Sequence, residues 1–334
     1  MQFLEPNKTD VYPTKVLSTE LVRTGTDSSG SCFFYAVMQA FKSFRELDEE
    51  RREDHIRRAR EELAGKIGQE DWFTIQNGTM AFLQIIEMMR RMIHTIPEIL
   101  EKQEEFLQKY DVNGRAVRIL FLLLDPATVE REVLPLWDME CSKASREGRS
   151  FIEDVREKWF DIYKTKIQKL ILDLEKKVDP SVPKMPEEQR QRVIQKLSLL
   201  SYPIFEFIVN EAHKAFLQEI RDPNKWLNLF IFLSVQKFMD LKVNVLLLDA
   251  STGMPYEGQR LIFKKKDFEN DLNFVVLLYH KDMHYESLGR RIEENGRVMI
   301  KRIFRRNDPF IITCLTYLEG MGSELFAGKP STEN

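Results

Sequence analysis

Through most of residues 46–224, apolar side chains recur three and four apart, and this helical period constrains the chain more than any other feature. Residues 48–65 are densely charged, as an exposed helix would be. Residues 80–93 carry Met80, Leu83, Ile86, Met89, Met92 and Ile93 at the same spacing. Residues 151–176 place Val155, Trp159, Ile162, Ile167, Leu170 and Leu174 along one face, and 204–220 repeat the pattern with Phe205, Ile208, Ala212, Phe216 and Ile220. Pro180, Pro183 and Pro186 fall between the last two segments, where a helix must break. Gly and Pro together make only 27 of 334 residues, so little interrupts such helices.

The period changes after Trp226. Leu227 to Leu241 is an apolar helix candidate, and Val243 to Leu248 reads as a buried strand closed by a turn at Ser251-Thr252-Gly253. Leu261 to Phe263 and Phe274 to Tyr279 are further strand candidates, and β-prone residues cluster again at Phe310-Ile311-Ile312. The expected fold class is therefore α+β, with helices in the middle and a small sheet drawn largely from the C-terminal third.

Composition excludes several classes. Apolar residues at 43% and charged residues at 31% rule out a disordered or collagenous chain. Fifty basic against 53 acidic residues leave no global polycation for nucleic acid. Three cysteines, at 32, 141 and 314, are too few and too dispersed for a disulfide framework, so reduced thiols are expected. Met1 to Pro6 lack the basic stretch and apolar run of a signal peptide, and no apolar run approaches a membrane span. The expectation is an intracellular, cytoplasmic protein with no membrane partner.

Two short segments carry possible chemistry. The small polar loop 24–31 (Thr-Gly-Thr-Asp-Ser-Ser-Gly-Ser) leads into a helical segment opened by Cys32. Asp and Ser before that segment are N-cap chemistry, and a helix start favours a thiolate. The loop amides could face a developing oxyanion. Read alone, Cys32 is equally a half-buried, inert cysteine. The second segment is Lys281 to Gly289, where His284 follows the apolar strand by a short turn. Glu286 lies two residues on, which in extended chain puts both side chains on one face. His280 competes with His284 on spacing alone.

Together the two segments resemble a family. Gly30-Ser31-Cys32-Phe33-Phe34 is similar to the cysteine box of ovarian-tumour (OTU) cysteine proteases, and His284-Tyr285-Glu286-Ser287-Leu288 is similar to their histidine box. The Phe-Phe variant, with Glu after His-Tyr, most resembles OTU proteins of large DNA viruses, which would place the chain in a host cytoplasm. The resemblance spans roughly residues 22–45 and 224–292. It implies a papain-like core with a small, mostly antiparallel sheet between helices, formed by 23–45 and 225–315. Residues 1–22 would be an extended lead-in, 46–224 a large helical insertion or arm, and 325–334 a flexible tail.

The implied function is a deubiquitinase, a thiol isopeptidase acting after the C-terminal glycine of ubiquitin, polyubiquitin or a ubiquitin-like modifier. Cys32 would be the nucleophile, His284 the base and Glu286 its orienting acid, with the backbone of Asp27, Ser28, Ser29, Gly30 and Ser31 forming the oxyanion loop. The family's Asp three residues before the cysteine is Ser29 here. Asp27, five before, therefore competes with Glu286 for the third role. No cofactor is expected, and no metal, since neither His-Glu-x-x-His nor Cys-x-x-Cys occurs. Gly328-Lys329-Pro330-Ser331 fails as a phosphate loop, because Ser323 and Pro330 stand at required positions. The rival reading is an interaction protein on an OTU scaffold, with the helical insertion binding a host or viral partner. A weaker one is nucleic-acid binding through the basic run Arg290–Arg306, which also reads as a solvated strand edge diluted by Glu293 and Glu294.

Overall fold

The computed structural model describes residues 3–12, 20–27, 29–75, 79–92, 151–178, 183–227, 243–257, 272–281 and 284–319, with isolated positions between them. The helix candidate from 228, the strand candidate 261–263, Ser28, Cys141 and the tail 325–334 lie outside these residues. The chain divides into two compact units, one formed by residues 1–67 with 217–334 and the other by 68–216.

Mixed α and β structure is present, and the sheet lies in the first unit. Its strands are β1 (Thr9–Tyr12), β2 (Leu21–Thr24), β3 (Val243–Asp249), β4 (Asn273–His280), β5 (His284–Glu294), β6 (Arg297–Lys301) and β7 (Ile303–Phe304), in spatial order β1-β2-β5-β4-β3. The pair β3–β4 is parallel; the other described pairings are antiparallel. Residues of the expected lead-in thus supply β1 and the first half of β2. The first half of β5 runs between β4 and β2, and its second half continues with β6 around the turn Asn295-Gly296, both at positive φ. The end of β5 that carries His284 is therefore held by β4 on one side.

Helices α1 (Cys32–Met38), α2 (Lys42–Arg45), α3 (Glu49–Lys66) and α9 (Pro309–Leu318) belong to the same unit. Phe310-Ile311-Ile312, expected among β-prone residues, lies in α9. Asp308 caps that helix by accepting the Phe310 amide, and Pro309 opens it, so local start signals override β-propensity. Phe310, Ile311, Cys314 and Tyr317 pack with Leu246, Leu248, Phe274, Val276, Leu278 and Leu288 in one apolar core. The basic run is partly neutralised: Arg290 forms a two-pronged bond to Asp308 at 2.8 Å, and Arg291 meets Glu20 at 2.9 Å.

The second unit is helical among its described residues, with α4 (Gln69–Thr74), α5 (Thr79–Met92), α6 (Phe151–Lys177), α7 (Glu187–Leu199) and most of α8 (Ser201–Arg221). The chain breaks between α6 and α7 in the Pro-rich stretch, as expected. Trp72 packs against His213 and Phe216 at 5.2 and 6.0 Å, and Trp159 against Phe205 at 5.0 Å, so large aromatics replace branched aliphatics at these helix crossings. Among the described residues, no helix is long and apolar enough to cross a membrane.

Candidate active site

Cys32 opens α1, but not with the expected cap. Ser31 occupies the N-cap position with no side-chain cap bond; its hydroxyl instead donates to the Pro223 carbonyl and receives Arg60 Nη1. The loop before Cys32 is held from outside. Gly30 lies so close to residues 224–225 that a Cβ there would come within 2.6 Å of backbone. Arg60 is fully buried and donates to the carbonyls of Gly30, Glu219, Ile220, Asp222 and Lys225 as well as to Ser31 Oγ. One guanidinium thus ties α3, the end of α8 and the cysteine loop together. Burial lowers its pKa to about 10, which leaves it charged at neutral pH.

Sequence reasoning missed Arg60, although a signal was there. It stands on the apolar stripe of α3 with Ile56, Ala59 and Leu63, where an arginine is buried only if its donors are satisfied.

Cys32 is 1% exposed, and burial pushes its thiol up to about 12, although backbone hydrogen bonding from Tyr285, Phe33 and Cys32 itself pulls the other way. The expected activation by a helix start is outweighed by desolvation. The loop amides are also engaged. Cys32 N–H donates to Ser29 O at 3.1 Å, and Ser31 N–H donates to Ser29 Oγ at 3.3 Å. Ser29 thus organises the turn with both its carbonyl and its hydroxyl. The amide of Ser31, an expected oxyanion donor, and that of Cys32 beside it are both turned inward.

The fold brings Cys32 to the edge of β5, where the backbone of Tyr285 meets its sulfur. Thr26 Oγ1 donates to the Tyr285 carbonyl, and Phe33 packs edge-on against the Tyr285 ring at 5.4 Å. His284 is the neighbouring residue. Strand alternation puts His284 and Glu286 on the face opposite Tyr285, the face shared with Leu288. Neither ring nitrogen of His284 has a hydrogen-bond partner, and the side chain is 1% exposed. Burial lowers its pKa, while Glu286 and Asp27 both raise it and His280 lowers it further, so the ring is neutral at pH 7.

Glu286 does not hydrogen-bond His284. Its Oε2 lies 3.4 Å from His280 Nε2 and 3.5 Å from Arg23 Nη1; its Oε1 accepts the Leu4 amide at 2.8 Å. These partners outweigh its burial and hold the carboxyl below its ordinary pKa. His280, which competed with His284 on spacing alone, pairs in register with it and turns its ring to the same face, 5.8 Å between centroids. Asp27 is exposed in the cysteine loop.

The N-terminal segment lies over this cluster. Phe3 packs on His284 at 4.5 Å and on His280 at 4.9 Å. Gly25 seats the segment: its carbonyl accepts the Asn7 amide and its amide donates to Lys8 O, and a Cβ would fall 2.2 Å from Glu5 O. Among the described residues, no group of three or more His, Cys, Asp and Glu side chains is placed to hold a metal ion.

No protein-family model, curated protein or solved structure matches this chain.

Proposed function

We propose that the chain is an OTU-like thiol isopeptidase that cleaves after the C-terminal glycine of ubiquitin or a ubiquitin-like modifier. The first unit would contain its papain-like core, with residues 46–224 as a helical insertion whose two ends, 46–67 and 217–224, lie in that unit. The observation that carries this reading is the meeting of Cys32 with β5 at Tyr285, one residue from a buried histidine with both nitrogens unpartnered. In the reaction, Cys32 Sγ attacks the carbonyl carbon as its proton passes to His284. The acyl-enzyme forms as that proton goes to the departing lysine amine, and water then releases the carboxylate. Glu286 and Asp27 both favour the imidazolium formed on the way.

The arrangement described is a resting one: the thiol is protonated, two loop amides face inward and Phe3 covers His284. Activity requires substrate to displace the N-terminal segment and re-aim the loop. A ubiquitin probe with a C-terminal electrophile tests the proposal. It is expected to form an adduct with the wild type and none with Cys32→Ala. No adduct on the wild type, or an equal adduct on the mutant, sinks it.

A buried thiol raised to about 12 beside occupied loop amides favours a second reading, an interaction protein on the same scaffold. Stable ubiquitin binding without adduct or turnover would select that reading.

A further inference from the structure

A polar cavity of the first unit, of about 230 Å³, has neither Cys32 nor His284 in its wall. Its wall includes Thr24 at the end of β2, Gln39 after α1, Arg45 of α2, Arg52 of α3, Arg302 between β6 and β7, and Asn7. Ligand sites for drug-sized molecules run from about 300 to 1,000 Å³, so this one suits a smaller guest.

The cavity is unusual in its charge. Three arginines line it, and none forms an ion pair with a carboxylate among the described residues; the Glu46 charge acts on Arg45 without reaching it as a salt bridge. Arg45 donates to the carbonyls of Gln39 and Ala40 at 2.7 and 3.0 Å. Arg52 donates to the carbonyls of Phe44 and Arg45 and to Asn7 Oδ1. Arg302 donates to Thr24 Oγ1 at 2.9 Å, and its Nε is buried with no acceptor. Every bond the three make is to a neutral oxygen. Two other arginines of this unit reach carboxylates, Arg23 at Asp10 and Glu286 and Arg290 at Asp308, whereas the buried Arg60 is satisfied by five carbonyls and a hydroxyl, a complement that Arg302 lacks. The nearby Glu46 carboxylate is exposed and sits 3.5 Å from Lys42.

Unmatched like charges around a partly buried cavity cost free energy unless an anion enters. Burial and the Arg45 charge together lower the Arg302 pKa to about 10, the direction that repulsion and desolvation demand. Planar guanidinium forks match tetrahedral oxyanions, and several forks around one cavity favour a dianion or higher charge over chloride.

We propose that this cavity binds a small phosphate-bearing anion, held by Arg45, Arg52 and Arg302. Arg302 Nε supplies the buried donor that waits for an acceptor. Asn7 shares the wall with these arginines and belongs to the segment whose Phe3 covers His284, so occupancy also steadies that segment.

The test is titration calorimetry and thermal unfolding with inorganic phosphate, pyrophosphate and citrate, against sodium chloride at equal ionic strength. Pyrophosphate is expected to bind saturably and, at about 100-fold excess over Kd, to raise Tm by several degrees. Citrate is expected to bind more weakly, and binding by citrate alone would overturn the phosphate assignment. Arg302→Gln and Arg52→Gln should each weaken pyrophosphate at least about tenfold. Should Arg302→Gln fail to fold, Arg52→Gln decides. A shift matched by chloride, or undiminished pyrophosphate affinity in Arg52→Gln, overturns the proposal.

Discussion

Two buried polar clusters flank Cys32, and they are built on opposite principles. On the loop side, Arg60 spends its donors on five carbonyls and a hydroxyl, fixing Gly30 and Ser31 against the end of α8. On the strand side, His284 has two unpartnered nitrogens, and the nearby Glu286 carboxylate turns to His280, Arg23 and Leu4 instead. A satisfied buried network is scaffold, because removing any member strands the rest. An unsatisfied one costs stability and is retained where its groups have something to do. On the proposed function, the loop side holds position and the strand side keeps its capacity for proton transfer.

Breaking Arg60 should have the largest effect. Arg60→Leu leaves buried carbonyls without donors and is expected to cost about 3–5 kcal/mol in urea unfolding. A loss under about 1 kcal/mol would remove the distinction between the clusters.

The histidines sharpen it from the other side. His284→Leu should change stability by less than about 1 kcal/mol, because it removes unpaired polar atoms from a buried place. On the proposed function, its turnover should fall about 10²- to 10⁴-fold. His280→Leu should lose less, through the freed Glu286. Reversed activities would transfer the base to His280.

Gly25→Ala comes next. Its Cβ would strike the backbone of Leu4 and Glu5, so the N-terminal segment must lift, at about 1–3 kcal/mol. Phe3→Ala should lift the cover more cheaply. Both should speed modification of Cys32 by a ubiquitin probe several-fold. Slower modification in both would mean that the segment organises the cluster rather than covers it.

The smallest effect is on pH. Burial holds His284 below its ordinary pKa of 6.5, so as pH falls the unfolded chain takes up that proton first. The stability that neutral His284 contributes is present above about pH 6.5 and is lost as pH drops through the window below it. Glu286, also lowered, adds a loss only below about pH 4.5. Melting temperatures from pH 7.5 to 5 should therefore decline, and His284→Leu should flatten the decline. An identical slope in that variant would place the titrating group elsewhere.

The long helices of the second unit were legible because their apolar residues follow the helical period, and β3 and β4 because each is a short, mostly apolar run buried almost throughout. Strands β1 and β2 were not. Each spans four residues, too few for a period to register, and each extends because a neighbour already does. α9 carried a readable start in Asp308-Pro309, and that local signal outweighs an apolar run that fits a strand as well.

At the candidate site, sequence by itself determined the residue types, their order along the chain and the shared face of His284 and Glu286, since strand alternation is local. Tertiary structure alone decided that Arg60 fastens the cysteine loop, that Glu286 serves His280, Arg23 and Leu4, and that Phe3 lies on His284. Those partners stand between 6 and 282 positions apart, and apart from the β4–β5 hairpin no backbone period links them. Burial completes the division. A cysteine opening a helix is an activated thiol on local grounds, but the core that closes around Cys32 desolvates its charge, and desolvation outweighs the local field.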